Sequence, residues 1–363
     1  GSTLEMSSGI IETGGNLVVA GNLKWSSGTM KGDATTIIEV GGVAEILNGQ
    51  LGLEDNRDFL NRGKVIQTGN SYLYAKTASN SVITNATGAQ WDVNSPSGRF
   101  AYTDGSGAQL LFNNAGDLYK SAITGNVTYG YTSRSSSFTN QSTGRVMVEG
   151  GTLTFEGSGQ GQHSGELMIA DGGEAIFAYG QHTFNSGSVI SDTGTLTVGT
   201  NSSVSIASAQ ALESLKVTRG TLTHNGTLTV TEFEQSGGTL SSDDALMVTG
   251  TLTWSGGTQD GQGTTVLENG GTGTLNTTTL TLNGNRAITN HGEIDQLSNA
   301  LLYPAGGSQS VVTNAEDGIW NINLANNRDL GYPDASSRLD FINAGTLNKQ
   351  DNLHNYDIGH NSG

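Results

Sequence analysis

A long internal repeat limits the architectures open to this chain. Residues 17–32 read LVVAGNLKWSSGTMKG, and residues 246–261 read LMVTGTLTWSGGTQDG. Trp25 and Trp254 mark an offset of 229 positions, which persists without a gap as far as Gly116 and Gly345. The same offset relates Arg57 to Arg286, Asn61 to Asn290, Tyr74 to Tyr303, Asn85 to Asn314, Trp91 to Trp320, Arg99 to Arg328 and Asn114 to Asn343. Such a period predicts stacked units rather than one closed globule, with a first super-repeat over 3–231 and a truncated second one, continuous with it, over 232–363.

A shorter rhythm of asparagine followed by glycine lies inside the long repeat. Asn61, Asn85, Asn114 and Asn140 are separated by 24, 29 and 26 positions, and the segments between them predict strands of three to five residues. A period in the twenties, with three short strands per turn, fits one coil of a parallel β-helix. Asparagine tolerates the left-handed conformation at corners, and its amide can stack on the asparagine of the next coil as a hydrogen-bonded ladder.

These patterns predict an all-β fold, a right-handed parallel β-helix (solenoid) of roughly fourteen coils. Leu, Val and Ile at alternate positions are expected to fill the interior, with neighbouring Thr and Ser facing water. Tandem β-sandwiches and a propeller are the alternatives. The one stretch with helical spacing is 208–216, SAQALESLK, which is expected to form two helical turns or a loop.

Composition and charge narrow the function. The chain has 54 Gly, no Cys, 13% charged residues and a net charge of −17. An acidic surface repels phosphate backbones, so a nucleic-acid partner is not expected. The absence of cysteine rules out disulfides and thiolate metal sites, and is typical of bacterial extracellular proteins. No apolar run approaches the ~20 residues that span a bilayer, so no membrane insertion is expected. Gly1 and Ser2 are interpreted as a cloning scar, and we expect that targeting segments were removed.

Metal and cofactor motifs are few. The sequence has no nucleophile elbow, zinc-protease helix motif or phosphate loop. His354 and His360 have zinc-finger spacing, but no cysteine pair completes that site. Glu54, Asp55 and Asp58 form the densest acidic patch and are the candidate calcium ligands, although the second copy does not repeat their carboxylates. A solvated loop is the simpler interpretation, so no cofactor is predicted, with calcium kept as the one possibility.

Enzymatic activity would need two facing carboxylates on neighbouring coils. Asp92 with Asp117, and Asp33 with Glu54 or Asp58, have suitable spacing, but the second copy keeps none of them. We therefore predict no catalysis.

Aromatic and hydroxyl side chains suggest two kinds of binding surface. The tryptophans and arginines shared by both copies are expected to be structural, with Trp inside the coils and Arg bonded to loop carbonyls. Exposed tyrosines could instead stack on sugar faces, and the candidate glycan-binding residues are Tyr72, Tyr74 and Tyr102, with Tyr129 and Tyr131 as further candidates. Thr-x-Thr strands resemble ice-binding arrays, but the varying coil length is expected to break their register.

With its Gly-Thr-Leu-Thr strands, asparagine rhythm, absent cysteine and acidic balance, the chain resembles the β-helical repeat regions of large bacterial surface adhesins of the filamentous-haemagglutinin-like class. That resemblance implies an extracellular or cell-surface stalk or surface-binding rod. Its expected partners are neighbouring repeats of the parent protein, together with host or bacterial surface glycans or proteins. The alternative is a carbohydrate-active β-helix: a polysaccharide lyase, a hydrolase or a glycan-binding module.

Overall fold

The computed structural model describes residues 1–76, 78–105, 107–121, 125–132, 134–276, 279–324 and 335–349. Arg328, His354 and His360 lie outside these residues. The chain is an all-β parallel solenoid of about 14 turns, which confirms the fold prediction. Its right-handed sense and the super-repeat boundary at 231/232 stay predictions. Two compact units are present, Gly1–Leu196 and Thr197–Gly363, and each is described by itself.

Most strands of the first unit are short, but Gly173–Phe184 and several later strands have eight or more residues. In order they are β1 Thr3–Met6, β2 Ile10–Glu12, β3 Leu17–Val19, β4 Asn22–Trp25, β5 Gly28–Lys31, β6 Thr35–Ile38, β7 Val43–Leu47, β8 Gln50–Glu54, β9 Asp58–Asn61, β10 Lys64–Thr68, β11 Tyr72–Ala75, β12 Asn80–Asn85, β13 Gln90–Asn94, β14 Gly98–Thr103, β15 Gln109–Asn114, β16 Asp117–Lys120, β17 Asn126–Tyr129, β18 Ser136–Asn140, β19 Arg145–Val148, β20 Gly151–Phe155, β21 Gln160–His163, β22 Glu166–Ile169, β23 Gly173–Phe184 and β24 Val189–Asp192. They continue with β25 Thr195–Ile206, β26 Gln210–Val217, β27 Thr221–His224, β28 Leu228–Ser241, β29 Leu246–Asp260, β30 Thr264–Leu267, β31 Thr272–Asn276, β32 Leu280–Leu282, β33 Ala287–Asn290, β34 Glu293–Ser298, β35 Leu302–Pro304, β36 Gln309–Asn314, β37 Ile319–Leu324, β38 Arg338–Asn343 and β39 Thr346–Lys349.

Three columns of parallel strands build the first unit. One column is a nine-stranded sheet from β1 through every third strand to β22 and then β24. The other two columns start at β2 and β3, and β23 joins both at their far end. Each coil therefore contributes one short strand to each of three faces, which is the arrangement that the sequence rhythm predicted.

The second unit repeats the strand register of the first unit at the offset seen in the sequence. Asn22 pairs with Val43 in the first unit, and the equivalent residues of the second unit, Thr251 and Thr272, pair in the same way. The pairing of Lys64 with Gln90 likewise recurs between the equivalent residues of β34 and β37. The sequence repeat is thus also a repeat of coil lengths, since each strand pairs with its counterpart at a matching distance along the chain.

Inward and outward side chains alternate as predicted. Leu, Val, Ile and Phe fill the interior, and the four tryptophans Trp25, Trp91, Trp254 and Trp320 are all buried. Buried indole N–H groups need acceptors. Trp91 donates to Oε1 of Gln67 at 3.2 Å, and the equivalent pair in the second unit is bonded at 3.1 Å. The structural role expected for the tryptophans is confirmed.

An asparagine ladder runs through the first unit. Nδ2 of Asn61 donates to Oδ1 of Asn85 at 2.8 Å, and the same bond links Asn85 to Asn114 and Asn114 to Asn140. Each Nδ2 also donates to a backbone carbonyl one coil on. The predicted ladder is confirmed. The ladder asparagines do not have the left-handed backbone conformation, however: they end strands, and their side chains are buried. The asparagines with a left-handed backbone include Asn48 in a turn.

Two buried arginines span several coils. Arg57 donates through Nε to the Thr36 hydroxyl at 3.1 Å and through Nη1 to the carbonyl of Gly15 at 3.2 Å. Arg286 donates through Nη2 to the Thr265 hydroxyl at 3.1 Å and through Nη1 to the carbonyl of Ser242 at 3.0 Å. Burial lowers the pKa of Arg286 to about 10. The prediction that these arginines bond loop carbonyls is confirmed.

A buried histidine pair continues the ladder column. His163 lies over Asn140 in the next coil, and its Nε2 is 3.1 Å from Nδ1 of His182. Phenylalanine rings surround both imidazoles, with Phe184 stacked on His163 at 4.6 Å between ring centroids. Burial lowers the pKa of His182 to about 4 and that of His163 well below its ordinary value, so both are neutral at pH 7.

Two local expectations are wrong. Most of 208–216 forms neither a helix nor a loop, because β26 pairs with β28 over Gln210–Val217 and tertiary pairing overrides helical spacing. The expectation that the threonines lose their register is also wrong for one column, in which Ser203, Thr221, Thr239 and Thr258 pair in succession. Successive members of this column are 18, 18 and 19 positions apart, so the coil length is nearly constant here and the register holds. Within the described part of the chain, no helix has the length and apolarity needed to cross a membrane.

Candidate functional site

The candidate calcium ligands have different partners. Glu54 forms an ion pair with Lys76 at 2.8 Å, and Asp55 lies 3.6 Å from Lys31. Asp58 accepts a backbone hydrogen bond at 2.8 Å, and burial raises the pKa of its carboxyl group. Among the residues that the structure describes, no group of three His, Cys, Asp or Glu side chains is placed to hold a metal ion. These acidic residues are therefore paired with lysine side chains of the protein or with a backbone N–H group.

The candidate glycan-binding tyrosines do come together. The rings of Tyr72 and Tyr102 lie 5.0 Å apart between centroids, and Tyr74 lies 6.0 Å from each. Tyr131 extends the row, at 6.5 Å from Tyr102. Tyr129 is different: it is buried, with its hydroxyl donating to the carbonyl of Ser137 at 2.8 Å.

A cavity of about 370 Å³ opens beside these rings. Its lining residues are Asn70, Tyr72, Gly98, Arg99, Tyr102, Asp104, Tyr131 and Arg134, here called the tyrosine–arginine pocket. Ligand cavities range from about 300 to 1,000 Å³ and combine aromatic walls with a few polar groups. The pocket meets both conditions, at the lower end of that size range.

A β-bulge places Arg99 and Tyr102 side by side. The register between β14 and β17 shifts after Arg99, so that Phe100 and Ala101 both face inward. Arg99 and Tyr102 consequently face outward three positions apart, which normal alternation forbids. Bulges of this kind are frequent beside functional sites because they redirect side chains. Nothing in the sequence pattern indicated this bulge.

Gly130 decides which tyrosine is exposed. It follows β17 with a φ of +81°, and a Cβ there would lie 2.5 Å from the backbone nitrogen of Gly157. Only glycine suits that conformation and space. The chain turns at this residue, so Tyr129 faces the core and Tyr131 faces the pocket although they are two positions apart.

Two guanidinium groups lie over the ring of Tyr131. The Cζ atoms of Arg99 and Arg134 are 4.4 and 4.6 Å from its centroid, within cation–π range. Arg99 is ion-paired to Glu156 at 3.3 Å, whereas Arg134 has no ion pair among the described residues and donates Nη1 to the carbonyl of Thr103. Sequence reasoning missed both arginines as pocket residues.

The phenol group of Tyr102 stays protonated at neutral pH. Burial, followed by a hydrogen bond to Tyr72, raises the pKa of Tyr102. Burial also raises the pKa of Tyr74. These hydroxyls are therefore hydrogen-bond donors and acceptors next to apolar ring faces, a combination that suits polyhydroxylated ligands.

Comparisons with known proteins place the chain in no family. No protein-family description matches it, and no curated protein matches it. Among solved structures, the crystal structure of a "TibC-catalyzed hyper-glycosylated TibA55-350 fragment" covers 99% of this chain and 97% of that one, at 15% identity and a TM-score of 0.26. A likeness of that size does not establish a shared function.

Proposed function

We propose that this chain is a structural and adhesive repeat region, a stalk or surface-binding rod, of a large secreted or cell-surface bacterial protein. The observation that carries the proposal is the repeated register. The number of residues from Asn22 to its partner in the next coil recurs in the second unit at the same offset. The larger number of residues from Lys64 to its partner recurs there as well. Each coil bonds to its neighbours, so such an array extends by repetition without a global core.

Two of the carboxylates considered for catalysis, Asp92 and Asp117, support a non-catalytic role. Asp92 is ion-paired to Lys64 at 2.8 Å, and Asp117 is ion-paired to Arg145 at 2.8 Å. Each of these two carboxylates is thus ion-paired with a basic side chain. A hydrolase or lyase would need two such groups facing one substrate. We propose that the partners are neighbouring repeats and surface glycans or proteins.

Adherence and turnover test this proposal together. Beads coated with the protein are expected to adhere to bacterial or host cells more than albumin-coated beads, and the protein should release no reducing sugar from a polysaccharide panel. Thermal melts with calcium and with EDTA should coincide. Sugar release above the albumin control would overturn the non-catalytic role, and equal adherence of both bead types would overturn the adhesive one.

A second candidate function is glycan binding without turnover. The tyrosine–arginine pocket favours it, because flat rings of Tyr72 and Tyr102 stand beside exposed hydrogen-bonding groups. A pocket of this kind on a stalk would give the rod an adhesive patch. Binding of saccharides that is lost in Tyr72→Ala would support this candidate, and a glycan panel without any binding would refute it.

A further inference from the structure

The tyrosine–arginine pocket carries cations that a neutral sugar would not require. The protein has a net charge of −17, yet two of its 16 basic residues lie over one tyrosine ring at the cavity wall. A cluster of positive side chains on an acidic protein is expected where a negatively charged group is recognised. The inference that follows rests on the second candidate function, glycan binding.

The two arginines have different capacities for a ligand. Arg99 donates Nε to the carbonyl of Gly130 and Nη2 to Glu156, so two of its three guanidinium nitrogens are already bonded. Arg134 donates Nη1 to Thr103, and the described residues offer no bond to its Nε or Nη2. A guanidinium binds a carboxylate through two parallel N–H groups. Arg134 is therefore the group with room for an anion.

The acidic residues at the rim limit the charge of that anion. Asp104 lines the cavity, and Glu156 is ion-paired with Arg99 at 3.3 Å. Two carboxylates next to two guanidiniums leave little net positive charge, so a polyanion would be repelled by the rim and by the rest of the surface. A ligand with a single negative group escapes most of this repulsion.

We infer that the tyrosine–arginine pocket binds a saccharide unit bearing one carboxylate, such as a uronic acid or another acidic sugar. Tyr72 and Tyr102 lie against the sugar ring, and Arg134 holds the carboxylate. Arg99, fixed by Glu156 and Gly130, holds the ring of Tyr131 in place as a positioning residue. The assignment joins stacking and charge recognition within one cavity.

Paired ligands separate charge recognition from sugar stacking. Isothermal titration calorimetry would compare galacturonate, glucuronate and N-acetylneuraminate oligosaccharides with their methyl esters, which keep the sugar and lose the charge. The wild type should bind at least one acid roughly tenfold more tightly than its ester, since a hydrogen-bonded charge pair contributes on that scale. Heparin-derived sulfated oligosaccharides should bind no better than the ester.

Variants assign the effect to the pocket. Arg134→Gln should remove the preference for the acid while leaving the ester unaffected, and Tyr72→Ala should weaken both ligands. The matched control is Arg145→Gln, a surface arginine on the nine-stranded sheet that is 48% exposed and paired with Asp117. If Arg134→Gln disturbs its turn in a thermal melt, Arg134→Lys replaces it, because it keeps the charge and loses the fork.

The outcomes distinguish this inference from the function on which it rests. Equal affinity for acid and ester, with both lost in Tyr72→Ala, would overturn carboxylate recognition and keep glycan binding. No binding by any saccharide would overturn both and leave the stalk proposal standing. A preference for sulfated chains, or one unchanged in the Arg134 variants, would also refute the assignment.

Discussion

The asparagine ladder offers the sharpest test of what stabilises this fold. Asn114 donates Nδ2 to Oδ1 of Asn140 at 2.9 Å and to the carbonyl of Arg145 at 3.0 Å, and its Oδ1 accepts Nδ2 of Asn85 at 2.8 Å. Asn114→Ala removes all three bonds. A buried hydrogen bond contributes about 1 kcal/mol net, so the variant should lose about 3 kcal/mol of unfolding free energy.

A neighbouring residue provides the control. Asn113 is on the same strand, half-buried on the outer face, with no side-chain hydrogen bond among the described residues. Asn113→Ala should therefore cost less than about 0.5 kcal/mol. Asn114→Asp should cost more than Asn114→Ala, because it places a buried charge against two acceptors, Oδ1 of Asn140 and the carbonyl of Arg145.

Urea denaturation followed by far-ultraviolet circular dichroism measures these differences. A double-mutant cycle between Asn85 and Asn114 should show coupling, since the two side chains share a bond. Equal losses in the alanine variants of Asn113 and Asn114 would mean that the ladder does not stabilise the coils. The reasoning from hydrogen-bond geometry would then fail.

Three further changes have directions fixed by the structure. Burial lowers the pKa of His182 from 6.5 to about 4, so the unfolded chain takes up this proton first. Its contribution to stability is complete above about pH 6.5 and falls by about 3 kcal/mol as the pH drops to about 4; His182→Gln should show a shallower acid dependence in urea titrations. Gly130→Ala should cost about 1–3 kcal/mol and distort the pocket, because its Cβ would meet the nitrogen of Gly157 at 2.5 Å. Gly88→Ala, with a similar φ of +79° and open space, should cost less, and a melting temperature equal for both would contradict the steric argument. Arg286→Lys should lose about 2 kcal/mol in urea denaturation, since one ammonium cannot reach both the threonine hydroxyl and the loop carbonyl; an unchanged midpoint would show that the fork is dispensable.

Much of the interior could be predicted because it depends on short-range spacing. The Asn61, Asn85 and Asn114 intervals match the coil steps that join their amides, and the shared tryptophans are buried as expected. Alternation along a strand assigns each residue to the inside or outside, and residues alike at one coil interval then stack. The two helical turns or loop expected over 208–216 were wrong because most of that stretch pairs with the next coil.

The pocket depended on features that carry no local signal. Tyr129 and Tyr131 looked equivalent from spacing, but the left-handed turn at Gly130 separates them. The bulge after Arg99 likewise arises from pairing between coils and moves that side chain next to Tyr102. The apolar pattern did not locate the bulge, because Phe100, Ala101 and Tyr102 are consecutive and alternation alone does not show which of them face inward.

The amino-acid sequence alone specified the kind of architecture, since its repeated period, its inward apolar residues and its asparagine rhythm all describe one coil bonded to the next. Which outward residues become neighbours emerged only in the folded chain. The number of residues per coil differs along the solenoid, from a short step that pairs Ser203 with Thr221 to a long one that pairs Asn80 with Gln109, and each step sets the register between two strands of a face. The union of Tyr72, Tyr102 and Arg134 in one cavity follows from those registers, because a face of a solenoid is assembled from residues that are distant along the chain.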